Sequence, residues 1–163
     1  MSVSVVWAET ITVTEVLPNN QGSTATDAKR TVTHDAFNEG GTLTSATTPP
    51  VTVCAHFVQT LSGGAATINF AALTGTNGAT VDCTGLKPQL VRVKNLGANN
   101  LVITEGASNG LALLGASFSV TVFPGAVHEF FLNDAASDVA SGDRTIDLAG
   151  TGSQTSEWTI VAG

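Results

Sequence analysis

The sequence predicts an all-β protein, an antiparallel β-sandwich of jelly-roll type with about ten short strands. Apolar residues alternate with polar ones at period two through most of the chain, and no segment sustains a 3.6-residue apolar stripe. Thr and Val fill these runs, and their branched Cβ atoms suit a pleated, half-buried surface. Gly, Asn, Asp and Pro collect between the runs, where they supply positive φ or pre-set a turn. A parallel sheet would need crossover helices, and the pattern contains none.

The first run has Val3, Val5 and Trp7 alternating with Ser2 and Ser4, and the next sets Ile11 and Val13 among Thr10, Thr12 and Thr14. A polar stretch at 19–27 follows, then a weaker strand at 30–36. Pro49-Pro50 stop whatever precedes them, after which Val51, Val53, Ala55 and Phe57 share one face. Ile68 and Phe70 point one way. Val91 and Val93 oppose Arg92 and Lys94, and Leu101 and Ile103 follow the turn at 97–100. Phe118, Val120 and Val122 form another inward set; across Pro124-Gly125 its neighbour presents His128, Phe130 and Leu132 on one face. Ile146 with Leu148, then Trp158 with Ile160, complete the series.

A length of 163 residues with 42% hydrophobic and 12% charged is that of one folded domain, not a disordered chain. The domain is expected to span 1–163, with the more polar residues 1–50 compatible with an N-terminal arm plus edge strands. A net charge of −7 with only six basic residues argues against nucleic acid and anionic membrane as partners. Lys87, Arg92 and Lys94 lie close together in sequence, but Asp82 and Glu105 flank them, so Arg92 and Lys94 read as the solvated face of a strand, with an anion site as the alternative. No apolar run approaches a membrane span and the start lacks a secretory signal pattern. Synthesis in a cytoplasm is therefore expected. Cys54 and Cys83 stand 29 positions apart (83 − 54); free thiols are expected over a disulfide, which such a compartment disfavours. Two cysteines and three scattered histidines offer no metal-ligand spacing, and no cofactor is expected.

Catalytic constellations are sought and not found. His34-Asp35 could suggest an acid–base pair, but neighbours on a strand point to opposite faces, and no nucleophile motif accompanies them. Asp134, Asp138, Asp143 and Asp147 form an acidic tract that reads as a solvated loop, with a surface cation site as the alternative; the spacing is not that of an EF-hand. Gly63-Gly64 and the 75–78 run lack the Lys-Ser/Thr end of a phosphate loop and read as turns. A non-enzymatic protein is expected. Absence of Tyr and scarcity of outward aromatics weigh against sugar stacking. Phe123, Phe131 and Val161 are out of phase with their inward neighbours, and hydrophobes on both faces point to subunit contact. Together with Val3, Val5 and Trp7 on the first strand, they are the candidate partner or oligomer contacts.

The stretch from Leu73 to Lys87 resembles one in small proteins encoded among tailed-bacteriophage virion genes. So do the runs at 106–110 and 118–125, the Leu132-Asn133-Asp134 triplet and the ending from Glu157 to Gly163. The similarity covers most of the chain and is strongest over its last hundred or so residues; the opening strand and Thr33-His34-Asp35 fit less tightly. The resemblance implies a virion structural protein of the capsid decoration, or cement, type. Such a protein sits as a dimer or trimer on the outer capsid surface and binds the major capsid protein. A head-completion or tail component, or a displayed glycan-binding module, is the alternative; a hydrolase comes last.

Overall fold

The structure, a computed structural model, describes residues 3–16, 31–33 and 37–163. Among these all regular structure is strand: β1 (Ser4–Ile11), β2 (Thr14–Val16), β3 (Thr31–Thr33), β4 (Phe37–Thr44), β5 (Val53–Thr60), β6 (Ala65–Asn69), β7 (Leu73–Thr74), β8 (Thr80–Val81), β9 (Pro88–Asn95), β10 (Leu101–Glu105), β11 (Ser119–Val122), β12 (Val127–Phe131), β13 (Thr145–Ala149) and β14 (Thr155–Ala162). Every pair of named strands with a described register is antiparallel. The all-β, antiparallel expectation holds.

The chain divides into two compact units, Met1–Ser4 with Leu43–Gly163, and Val5–Thr42. The larger unit contains two four-stranded sheets, ordered β12-β9-β14-β5 and β11-β10-β13-β6, called here the β5 sheet and the β6 sheet. Their pairings nest. β5 pairs with β14, β6 with β13, β9 with β12 and β10 with β11, and successive pairs fall alternately in the two sheets. A small β7–β8 hairpin contacts β5.

Both sheets contribute to one buried cluster. Ala55, Val91, Val93, Trp158 and Ile160 come from the β5 sheet; Ile68, Leu101, Ile103, Val122, Ile146 and Leu148 come from the β6 sheet. These are residues at i, i+2 spacing, the side of each strand that period-two alternation assigns inward. Trp158, facing Val93 and Phe57 in register, is the bulkiest. Its indole N–H is kept satisfied in the apolar interior by donating to Ser156 Oγ at 2.8 Å.

Loop residues complete the core. Leu61, Cys83, Leu111, Leu113 and Val139 are buried outside any strand, and backbone bonds fix their loops: Leu111 N–H donates to Thr145 O and Val139 N–H to Leu86 O. The 105–110 turn packs against β13 so closely that a Cβ at Gly106 would fall onto the Thr145 hydroxyl.

The smaller unit is built differently. β1 pairs with β4 and β2 with β3, two-stranded ladders in which no described residue is buried. Alternation is visible from Val3 to Trp7, but β1 ends at Ile11, and Ile11 and Val13 are exposed. The Trp7 ring lies over Gly41 of β4, where a Cβ would stand 3.2 Å from the indole nitrogen. Aromatic cover of a strand glycine shields backbone that has no side chain of its own.

Candidate functional site

The predicted contact residues are divided between the two units. Val3 falls in the larger unit, Val5 and Trp7 in the smaller, and all three are partly exposed. Phe123 and Phe131 lie towards opposite ends of the β12 edge of the β5 sheet. Val161 is different: it is 1% exposed. It points away from the Trp158–Ile160 face, yet the chain covers it. Thr52 N–H donates to Ala162 O, Lys87 and Gly163 exchange backbone bonds, and the 50–52 segment runs beside the end of β14. Val161 sits between Leu90 and Cys54, and Phe131 extends that row across β9. The expectation that Val161 meets a partner is corrected accordingly. Period-two phase shows which face a side chain takes, not whether that face is exposed.

The other large exposed hydrophobes of the larger unit gather at the far end of the same sheet. Leu96 is 46% exposed, Phe123 61%, Val127 43% and Val58 59%. This corner is stiffened by Asn95, which is fully buried. Its amide Nδ2 donates to Asn99 O at 2.8 Å and Val122 O at 2.9 Å, while Oδ1 accepts from Gly97 N–H at 2.9 Å. Its backbone also joins Ala126 O and Gly125 N–H. One side chain thus holds the 95–99 and 122–126 turns together, and sequence reasoning did not single it out. A lone Asn before Leu-Gly looks like any turn residue.

Between those apolar groups the outward face carries charge. Glu157 stands 3.8 Å from Arg92 and 3.7 Å from His56, and His56 Nδ1 is 3.0 Å from Thr159 Oγ1. The β6 sheet presents Thr67, Asp147, Thr104 and Ser119 in one cross-strand row. Asp147 is held there by Thr67 Oγ1 at 2.6 Å and Ala107 N–H at 2.8 Å.

The sequence-level chemical candidates resolve as follows. His34-Asp35 lies outside the described residues. Among the described residues no three His, Cys, Asp or Glu side chains come together as a metal-holding group. Asp134 instead pairs with Lys87 at 3.5 Å, and its N–H donates to the buried Gln89 Oε1 at 2.9 Å. That latch holds Asn133 and Asp134 at positive φ, 45° and 64°, in a turn closed by Ala135 N–H to Leu132 O. Gly63, Gly64 and Gly78 take positive φ in turns, the conformation glycine tolerates best. Both cysteines are free. Burial, then the neighbouring Asp82 carboxylate and Cys54, push the Cys83 thiol up to about 12; burial also raises Cys54.

A hollow of about 580 Å³ lies beside Phe131, lined largely by Leu113, Leu114, Leu132 and alanines, with Ser137 as its one polar side chain. That lining offers no carboxylate, imidazole or thiol for acid–base work. Among the described residues no helix is long and apolar enough to cross a membrane. No family model, no curated protein and no solved structure matches the chain.

Proposed function

We propose that this chain is a structural protein of a tailed-bacteriophage virion, a non-enzymatic decoration protein that binds the major capsid protein on the outer shell and associates with itself. The single observation that carries this reading is the Val5–Thr42 unit, whose paired strands bury no described residue. An isolated two-stranded ladder is marginal in water and needs a further surface to become stable. A partner's sheet edge or face supplies one, with main-chain bonds giving affinity. Val6, 78% exposed on β1, and Ile11 and Val13 are then contacts made on assembly.

The finer fold assignment belongs to the same proposal. Four nested antiparallel pairs that alternate between two sheets amount to one long hairpin rolled upon itself. That order supports a jelly-roll sandwich, an architecture common in viral capsid proteins and lectins. The virion setting itself rests on the resemblance from Leu73 onward. Co-sedimentation with shells of the major capsid protein tests the function. Saturable pelleting at fixed stoichiometry is expected; protein remaining in the supernatant refutes it. The lectin-like alternative is separated by a glycan array, on which a decoration protein gives no sugar-specific signal.

A further inference from the structure

We infer that the outward face of the β5 sheet is a self-complementary surface that pairs with the same face of a second copy of this chain. The register places its side chains in rows. One row across β12, β9, β14 and β5 reads Val127, Lys94, Glu157, Val58, and the next reads Glu129, Arg92, Thr159, His56. A two-fold axis parallel to the strands, over the midline between β9 and β14, exchanges β9 with β14 and β12 with β5. Lys94 then faces Glu157 of the second copy, and Glu157 faces its Lys94. Val127 covers Val58 of the second copy, and Glu129 meets its His56.

Three observations favour this occupant. The two rows map onto themselves with every charge opposite its complement or a neutral group, as an isologous interface requires. Among the described residues Lys94 and Glu129 make no ion pair, although both sit on this face beside charged neighbours. The pairing gives Lys94 an opposite charge and Glu129 an imidazole partner. The apolar groups also frame the charged centre: Val58 and Val127 close the ends of the first row, and Leu96 and Phe123 stand just beyond it on turns held by Asn95. By contrast the β6 sheet carries no large exposed hydrophobe among the described residues. Its outward face carries Thr, Ser, Asn and Ala side chains, the partly buried Val102 and the single charge of Asp147, so it offers neither exposed apolar anchors nor charge of both signs.

The inference deepens the self-association in the proposed function but does not depend on capsid binding. A dimer in solution tests the face; shells test the function. The experiment is sedimentation equilibrium of the full chain, wild type and two charge reversals, Lys94→Glu and Glu157→Lys. The wild type is expected at twice the chain mass. Each variant alone opposes like charges twice across the axis, and its dissociation constant is expected to rise at least ~100-fold, because like-charge juxtaposition in an interface costs several kcal/mol. Mixed one to one, the two variants restore both attractive pairs in a heterodimer, and the dimer mass is expected to return. Recovery on mixing also shows that each variant is folded. A wild type that stays monomeric at ~100 µM, variants that remain dimeric, or a mixture that stays monomeric after both variants pass a circular-dichroism check would each overturn the inference.

Discussion

Replacing Asn95 by Ala removes a side chain that is buried without solvent exposure and makes three hydrogen bonds of 2.8 to 2.9 Å. A net bond contributes about 1 kcal/mol, and a buried group left without a partner costs a further 1–3 kcal/mol. Val122 is itself fully buried, so its carbonyl has no water to turn to. Asn99 and Gly97 lie at the surface side of the turn and recover some solvation. The sum is about 4 kcal/mol, or a fall in Tm of roughly 10 °C for a chain of this size. Asn95→Asp sharpens the test because its shape is unchanged. It replaces the donating NH2 by an oxygen aimed at two carbonyls, so at neutral pH it is expected to cost at least as much as Ala. Urea denaturation followed by tryptophan fluorescence measures both variants. If Asn95→Ala falls within about 1 kcal/mol of wild type, or Asn95→Asp is the milder change, the amide does not hold the two turns and the account of that corner is wrong.

Further outcomes follow from other parts of the structure. Ser156→Ala leaves the Trp158 indole N–H buried without its acceptor and is expected to cost ~1–3 kcal/mol, while Trp158→Ala is expected to cost ~3–5 kcal/mol, both by urea midpoints. The Cys83 thiol is raised in the folded state from 9.0 to about 12. The unfolded chain therefore releases this proton first, so the thiol's contribution is fully present below about pH 9 and is lost as pH rises towards 12. Stability should fall across that window by up to ~1.4 kcal/mol per pH unit, and Cys83→Ala should flatten the slope; with no Tyr in the chain, phenol ionisation does not interfere. Native protein should react with iodoacetamide at pH 8 far more slowly than protein in denaturant, for the same reason. Removing residues 1–7 takes away half of β1, and shell binding should be lost while the tryptophan environment of Trp158 is preserved.

Much of the larger unit was legible because its strands obey one rule. Val91 with Val93, Leu101 with Ile103, Ile146 with Leu148 and Trp158 with Ile160 were assigned inward by alternation alone, and all eight are buried. Two kinds of residue escaped that rule. Leu111, Leu113 and Val139 are core without belonging to strands, so they have no phase to read. Val161 points away from the core face yet is buried, between Leu90 and Cys54 in register, and such burial depends on tertiary neighbours that local pattern does not show. Strand order was invisible as well, because alternation gives faces and not neighbours; the pairing of β5 with β14 spans almost the whole larger unit. The Asn95 hub and the Lys94–Glu157 row depend on register, which sets who stands beside whom, and register is fixed by long-range pairing. Val3 to Trp7 showed the converse limit. The alternation was real, yet in the Val5–Thr42 unit it marks partial exposure and not a core.

The most direct test of the central claim is imaging of capsid shells by electron cryomicroscopy after incubation with the purified chain. The account predicts density of jelly-roll size at symmetry-related positions on the outer surface, contacting the shell through the Val5–Thr42 unit and grouped as copies joined through their β5 sheets. Bare shells, at protein concentrations that would saturate any useful decoration site, would contradict it.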